Sequence, residues 1–385
     1  MLLTADKIHD GYRFLPDGYL LEVLDDGSIA QVRPKQEGEH PQYYKGIVCP
    51  GFVNAHCHLE LSHMHGVIPK HIGLPSFLKA VMQQRNSFAE ISIIEAMHMA
   101  YENLYMEGTV AVGDIANTTQ SIAVREKDKM HVHTFVEALG FVNGLAEKAW
   151  QKAKIVFEQY ATQQVTRHRL SQSITPHAPY SVSQSLFQYI NQQQAADAIL
   201  SIHNQECLAE NEFYLKKEGA LIHFLASVGI PTDEFHPPGK SSLLSYASWL
   251  DATHPLILVH NTFTSRKDVV GVKQQFPQLY FCLCPNANLY IEDCLPDIAM
   301  LMEEEVNICI GTDSLASNDQ LSVWAELQTL RQHSVTDWEK LLHWATLGGA
   351  RALQLADQIG SFTLGKKPGI VQIPDIDSHK VNRIW

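Results

Sequence analysis

Short apolar runs, many of them ending in a polar residue able to do chemistry, recur along this chain. Eight can be read: IVCPGFVNAHCH (47–58), TVAVGDIAN (109–117), HVHTFVEALG (131–140), LSQSITPHAPY (170–180), AILSIHNQE (198–206), PLILVHNTF (255–263), LYFCLCPNAN (279–288) and VNICIGTDS (306–314). Continuous apolar sequence of this length is what a parallel strand shows when both its faces are covered. Helical patterns lie between the runs, including PSFLKAVMQQRN (75–86) and SIIEAMHMAYENLYMEG (92–108); SVWAELQTLRQH and WEKLLHWATLGGARALQL read as closing helices. Eight strands with helical connectors predict an α/β fold, a (β/α)8 TIM barrel with right-handed βα units. The HPPGKS stretch (236–241) reads as an insertion loop between the fifth and sixth strands.

The two ends of the chain follow a different pattern. DGYLLEVLDDGSIAQV (17–32) alternates around a DDGS turn, a hairpin signal. GSFTLGKKPGIVQIPD and KVNRIW are again strand-like, punctuated by Gly and Pro. The expected organisation is one small β domain from residues 1–48 and 360–385, flanking a catalytic barrel over 49–359.

In a barrel, chemistry gathers at the C-terminal rim, from the ends of several strands. The residues placed there are His56, His58, His177, His203, Glu206, His260 and Asp313. His56 and His58, two apart on a strand, share a face and can share one metal ion. Cys57 must point the other way and reads as core.

Composition narrows the picture. A hydrophobic fraction of 45% with 18% charged residues is ordinary for a soluble protein. The net charge of −13 argues against a nucleic-acid-binding surface, which would be basic. No stretch approaches the ~20 apolar residues of a membrane span. The first residues lack the basic and apolar regions of a signal peptide. Seven scattered cysteines without a framework point to a reducing, cytoplasmic setting. Cys282 and Cys284 have no second pair to close a metal site. Most of the 20 histidines read as structural; His63, His65 and His71, in the loop after the first strand, are open to solvated or substrate-facing roles.

The ordered set PGFVNAHCH, HAPYS, HNQE, VHN and GTDSLASN resembles the metal-dependent amidohydrolase superfamily, in the branch of nucleoside deaminases and chlorohydrolase-like enzymes. Within that branch it is most similar to the 6-aminodeoxyfutalosine deaminases. The resemblance spans essentially the whole chain and implies that the terminal β pieces form a small β-sandwich. It implies one divalent metal, zinc before iron, held by His56, His58, His203 and Asp313. The carboxylated lysine with which binuclear members bridge two metals has no counterpart on the fourth strand. By the same resemblance Asp313 handles the proton of the attacking water, Glu206 is the proton shuttle and His260 polarises the water. His177 and Glu60 would contact substrate. Arg85 would face a substrate carboxylate, because Leu289 stands where the resemblance implies a basic residue. Asn54, Asn286, Asn288, Ser314 and Asn318 read as braces of the rim. The implied activity is hydrolytic deamination of an aminopurine-type ring, that of a nucleoside, which releases ammonia from a small-molecule substrate. Guanine deamination, adenosylhomocysteine deamination, dechlorination or a non-catalytic barrel are the other readings, and the oligomer, a homodimer among the choices, is left open.

Overall fold

The computed structural model describes residues 1–164 and 167–385. Both ends of the chain build one six-stranded mixed sheet: β1 (Leu2–Ile8), β2 (Tyr19–Val23), β3 (Ile29–Pro34), β4 (Gln42–Pro50), β13 (Ile370–Ile373) and β14 (Asn382–Arg383), in the order β14-β13-β4-β1-β2-β3. The predicted hairpin is the antiparallel β2–β3 pair. Its turn is set by Asp26, whose carboxylate accepts from the Ser28 backbone N–H and hydroxyl at 3.1 and 2.6 Å. Gly27 takes φ +82° there, a conformation that L side chains disfavour.

The eight remaining strands form the barrel: β5 (Phe52–Cys57), β6 (Thr109–Ala116), β7 (His131–Ala138), β8 (Leu170–Pro176), β9 (Leu200–Asn204), β10 (Leu256–His260), β11 (Leu279–Leu283) and β12 (Asn307–Ile310). They pair in parallel as two four-stranded sheets, β5-β6-β7-β8 and β9-β10-β11-β12. Every residue of β6 and β7 is buried, including the polar Asp114, His133 and Glu137, as expected of parallel strands covered on both faces.

Two seams join the sheets into a ring. At the β12/β5 seam the backbone N–H groups of Thr312 and Asp313 both donate to the His56 carbonyl, at 3.0 and 3.1 Å. The buried Asn54 and Thr312 clasp there: the Asn54 amide donates to the Thr312 hydroxyl at 2.8 Å, and the Thr312 N–H donates back at 3.2 Å. At the β8/β9 seam side chains stand in for the ladder. The Ser173 hydroxyl donates to the Ile199 carbonyl at 2.6 Å, and the Thr175 hydroxyl both accepts from the Ser201 N–H and donates to the Ser201 carbonyl.

The structure divides one predicted strand and shortens another. The 47–58 run changes sheets at Gly51, whose N–H bonds to the Pro368 carbonyl at 3.0 Å. A Cβ at Gly51 would come within 2.3 Å of Val110 Cγ1, so only glycine permits this close crossing from terminal sheet to barrel. The strand predicted over 279–288 ends at Leu283, and Pro285–Glu292 is helical with Pro at its first position. After β5, a 3-10 turn (Leu59–Met64) leads to α1 (Leu74–Gln84) and α2 (Glu90–Met106). Cys57 packs outward among Tyr101, Leu104 and Met97 of α2, as the strand alternation requires. Among the described residues, no helix is long and apolar enough to cross a membrane.

Candidate metal centre and active site

Four strand ends converge on one rim of the ring. His56 lies next to the last residue of β5 and His58 follows the strand; His203 lies on β9, His260 ends β10, and Asp313 follows β12. Gln205, His260, Asn261 and Asp313 all have positive φ (45°, 73°, 59° and 57°). Left-handed backbone is uncommon for residues other than glycine, and it concentrates here where strand ends must turn side chains toward a common point.

One ligand atom from each of His56, His58, His203 and Asp313 lies within 4.8 Å of all the others. His58 Nε2 is 3.2 Å from His56 Nε2, 3.3 Å from His203 Nε2 and 3.2 Å from Asp313 Oδ1, and His56 Nε2 is 3.6 Å from that oxygen. A cation bonded at the ~2.0–2.1 Å of zinc–nitrogen bonds, with tetrahedral geometry, needs ligand atoms about 3.3 Å apart. The donor set therefore fits a divalent cation of that size. Burial keeps the imidazoles neutral: it pulls His58 down to about 3 and His203 well below the ordinary histidine range. Burial would push Asp313 up, but the hydrogen bond with His56 and the neighbouring imidazoles outweigh it and hold the carboxyl well below its usual range.

Further contacts fix the orientation of these groups. His203 Nδ1 donates to the His177 carbonyl at 2.8 Å, which leaves Nε2 as the ligating nitrogen. Asp313 Oδ2 accepts from the Ser317 hydroxyl at 2.5 Å. His260 Nδ1 is 2.8 Å from Asn288 Oδ1, so Nδ1 carries the proton. His260 Nε2 is buried without a hydrogen-bond partner among the described residues and lies 3.6 Å from Glu206 Oε1. Burial, reinforced by Asp313 and Glu292, raises the Glu206 carboxyl well above its usual range and so favours its protonated form.

These groups line one pocket. Its polar wall includes His58, His177, His203, Glu206, His260 and Asp313. Its apolar wall is Leu61 with Leu74, Phe77, Leu78 and Val81 of α1. A flat apolar face opposite a few converging polar groups suits an aromatic ring. His63, His65 and His71 do not line it; His63 Nε2 instead bonds to the Arg85 carbonyl at 2.9 Å and ties down the end of α1.

The expectation for Glu60 is corrected. Its carboxylate does not line the pocket but lies behind the wall. It accepts from the backbone N–H groups of Asn117 and Thr118 at 3.0 and 2.8 Å and from the Thr118 hydroxyl at 2.6 Å, with Arg85 Nη2 at 3.5 Å. The short turn after His58 carries the side chain sideways into the loop after β6. Arg85 does line the pocket, beside two residues absent from the sequence expectations, Asn117 and Glu137. Glu137 ends the apolar run HTFVEA, the same signal that marked His203 and His260. Its Oε2 accepts from the Asn117 amide at 2.6 Å and its Oε1 is 3.6 Å from His203 Nδ1. Glu137, His177 and His203 form a second group with ligand atoms in mutual reach. There, however, His203 Nδ1 already serves the His177 carbonyl and His177 Nδ1 pairs with the Ser181 hydroxyl at 2.6 Å.

Comparison with known proteins agrees with this architecture. Residues 47–383 match the model of the Amidohydrolase family. An adenosine deaminase of Helicobacter pylori is 25% identical over 354 residues, covering 91% of this chain and 84% of its own length. The crystal structure of H. pylori aminofutalosine deaminase in complex with methylthio-coformycin superimposes with a TM-score of 0.79 at 22% identity, covering 96% of this chain and 91% of that one. The structure of an adenosine deaminase from Xanthomonas campestris with bound zinc gives 0.74 at 21%, covering 96% and 83%.

Proposed function

The chain belongs to the Amidohydrolase family, and from that premise we propose that it is a metal-dependent deaminase of 6-aminopurine nucleosides. The relative named adenosine deaminase and the structural neighbour named aminofutalosine deaminase support this class. The observation that carries it is the buried Glu206, with Oε1 3.6 Å from His260 Nε2, in the same pocket as the convergent His56, His58, His203 and Asp313.

We assign the metal to those four residues, one ion per chain, with zinc favoured over iron because the set is rich in nitrogen and a neighbour carries zinc. A divalent cation supplies Lewis acidity that brings water to a nucleophilic state near neutral pH. Asp313, held ionised, takes the proton released by the attacking water and passes it to the leaving amine. Glu206 donates its proton to the ring nitrogen next to the carbon under attack, a general-acid role. The free Nε2 of His260 is an acceptor, and we assign it to the hydroxyl hydrogen of the attacking water, which it orients. The amine departs as ammonia, and as the carbon–oxygen double bond forms the remaining hydroxyl proton returns to Glu206. His177 and Arg85 are assigned to substrate contact from the pocket wall.

The test is a substrate panel on the zinc-loaded protein: adenosine, 5′-substituted adenine nucleosides, guanine and a chlorotriazine. Ammonia released chiefly from the adenine nucleosides is the expected result. Preference for guanine, or chloride release without ammonia, would overturn this reading in favour of another reaction on the same scaffold.

A further inference from the structure

The 3-10 turn after β5 has no cap of its own. A helical turn starts with backbone N–H groups that lack partners inside it, and the side chain of the residue before it commonly accepts from one of them. Here that residue is His58, at φ −110° and ψ 86°, and it makes no such bond; its ring belongs to the metal centre. Asp114, on the neighbouring strand β6, takes over: its Oδ1 accepts from the Leu59 N–H at 3.2 Å. The register brings it there. Asp114 pairs with Cys57, the residue before His58, so its carboxylate stands beside the strand end where the chain turns.

Asp114 is fully buried and engaged on both oxygens. Its Oδ2 accepts from the Ser121 hydroxyl at 2.7 Å, and Ser121 Oγ in turn lies 2.7 Å from the Tyr160 hydroxyl. Behind this group lies Arg125, at the end of the short helix Ile122–Arg125. Arg125 is also fully buried, with its guanidinium carbon 4.8 Å from the centre of the Tyr160 ring. None of its three guanidinium nitrogens has a hydrogen-bond partner among the described residues. A sealed cation without partners is costly, and its nearest compensation is an opposite charge. Asp114 supplies one. Burial works against both charges, and each offsets part of that cost for the other. Because Arg125 acts through its field and not through a direct bond, both Asp114 oxygens stay available to Leu59 and Ser121.

On the ligand set assigned above, we propose that Asp114 is a positioning residue of the metal centre: it caps from β6 the turn that His58 does not cap, and so fixes the direction in which His58 presents Nε2. Arg125 anchors Asp114 in that place. The aim of His58 therefore depends on β6 as well as on the strand it follows.

The experiment separates aim from stability. Zinc affinity, by competition with a chelating dye, and the visible spectrum of the cobalt-loaded protein are measured on wild type, Asp114→Leu, Asp114→Asn and Tyr160→Phe. The melting temperature of each metal-free protein is recorded alongside. Loss of a partner that orients a metal ligand typically costs about 10–100-fold in affinity, and Asp114→Leu should weaken zinc by that much and shift the cobalt spectrum. Asp114→Asn keeps an acceptor oxygen and should fall between Leu and wild type. Tyr160→Phe disturbs the same buried group without touching the cap, so its zinc affinity should stay within about threefold of wild type even where its melting temperature drops. Asp114 variants that melt lower but bind zinc like the wild type, with an unchanged cobalt spectrum, would reduce Asp114 to a support of the fold and overturn the proposal. A Tyr160→Phe protein as weak in zinc as Asp114→Leu would do the same. Should Asp114→Leu not fold, Asp114→Asn decides alone, and wild-type zinc affinity with a wild-type cobalt spectrum overturns the proposal. If His58→Ala binds zinc as tightly as the wild type, the assigned ligand set fails instead, and this inference with it.

Discussion

Glu206 becomes an acid through its surroundings. It is sealed from water, with Asp313 and Glu292 near enough to disfavour a further negative charge. Glu206→Gln keeps the shape and hydrogen-bonding reach but has no proton to give. It should retain zinc and unfold like the wild type, while kcat falls by about 10²–10⁴-fold. Metal analysis and an ammonia assay check both halves, and a variant within about threefold of wild type would reduce Glu206 to a structural role. The same residue shows what is legible at this scale. An apolar strand that ends in a histidine or carboxylate announces its last side chain, and His203, His260 and Asp313 are found that way. Glu137 obeys the rule less openly, because His131, His133 and Thr134 interrupt its run and the glutamate does not stand out as the one polar residue at its end. Glu60 misled for another reason. Its nearness to His58 in sequence suggests nearness to substrate, but the 3-10 turn swings it behind the wall, and no spacing rule encodes that turn.

At the scale of elements, strands were legible wherever burial on both faces leaves an apolar run, and their junctions were not. The run 47–58 looks like one strand and is two, because the crossing at Gly51 depends on Pro368 and Val110, far along the chain. The helix from Pro285 to Glu292 hid behind the apolar signal of β11, although Pro285 at its first position was a usable cue. The β8/β9 seam was equally silent, since a threonine in a strand ordinarily signals nothing. There Thr175 serves both the N–H and the carbonyl of Ser201, deep in the ring. Thr175→Val preserves shape and removes the hydroxyl, leaving two buried backbone groups without partners. At about 1–3 kcal/mol per unsatisfied group, the variant should lose at least about 2 kcal/mol of stability. Urea unfolding monitored by circular dichroism measures this, and a loss under about 0.5 kcal/mol would show that the seam is held by packing alone.

For the molecule as a whole, the position of the metal ligands relative to the seams has a mechanical consequence. His56 and His58 belong to the sheet β5–β8, whereas His203 and Asp313 belong to the sheet β9–β12. A cation shared by all four ties one half-ring to the other. It does so at both junctions at once, since His203 lies at the β8/β9 seam and Asp313 at the β12/β5 seam. Without it, the His58 ring nitrogen lies 3.2 Å from that of His56, 3.3 Å from that of His203 and 3.2 Å from a buried carboxylate, with nothing at the centre to bind them together. Binding to the folded form alone adds stability as RT ln(1 + [metal]/Kd), about 4 kcal/mol when free metal is about 1,000 times Kd. Chelation should therefore lower the melting temperature as well as abolish ammonia release, and added zinc should restore both. The control is His56→Ala, which breaks the site from within one sheet: its melting temperature should sit near that of the chelated wild type and should not respond to zinc. A wild-type melting temperature indifferent to chelator, with activity lost, would mean that the cation serves chemistry without bridging the sheets. A His56→Ala protein still stabilised by zinc would move the ligand set elsewhere, the group of Glu137, His177 and His203 being the next to examine by metal titration.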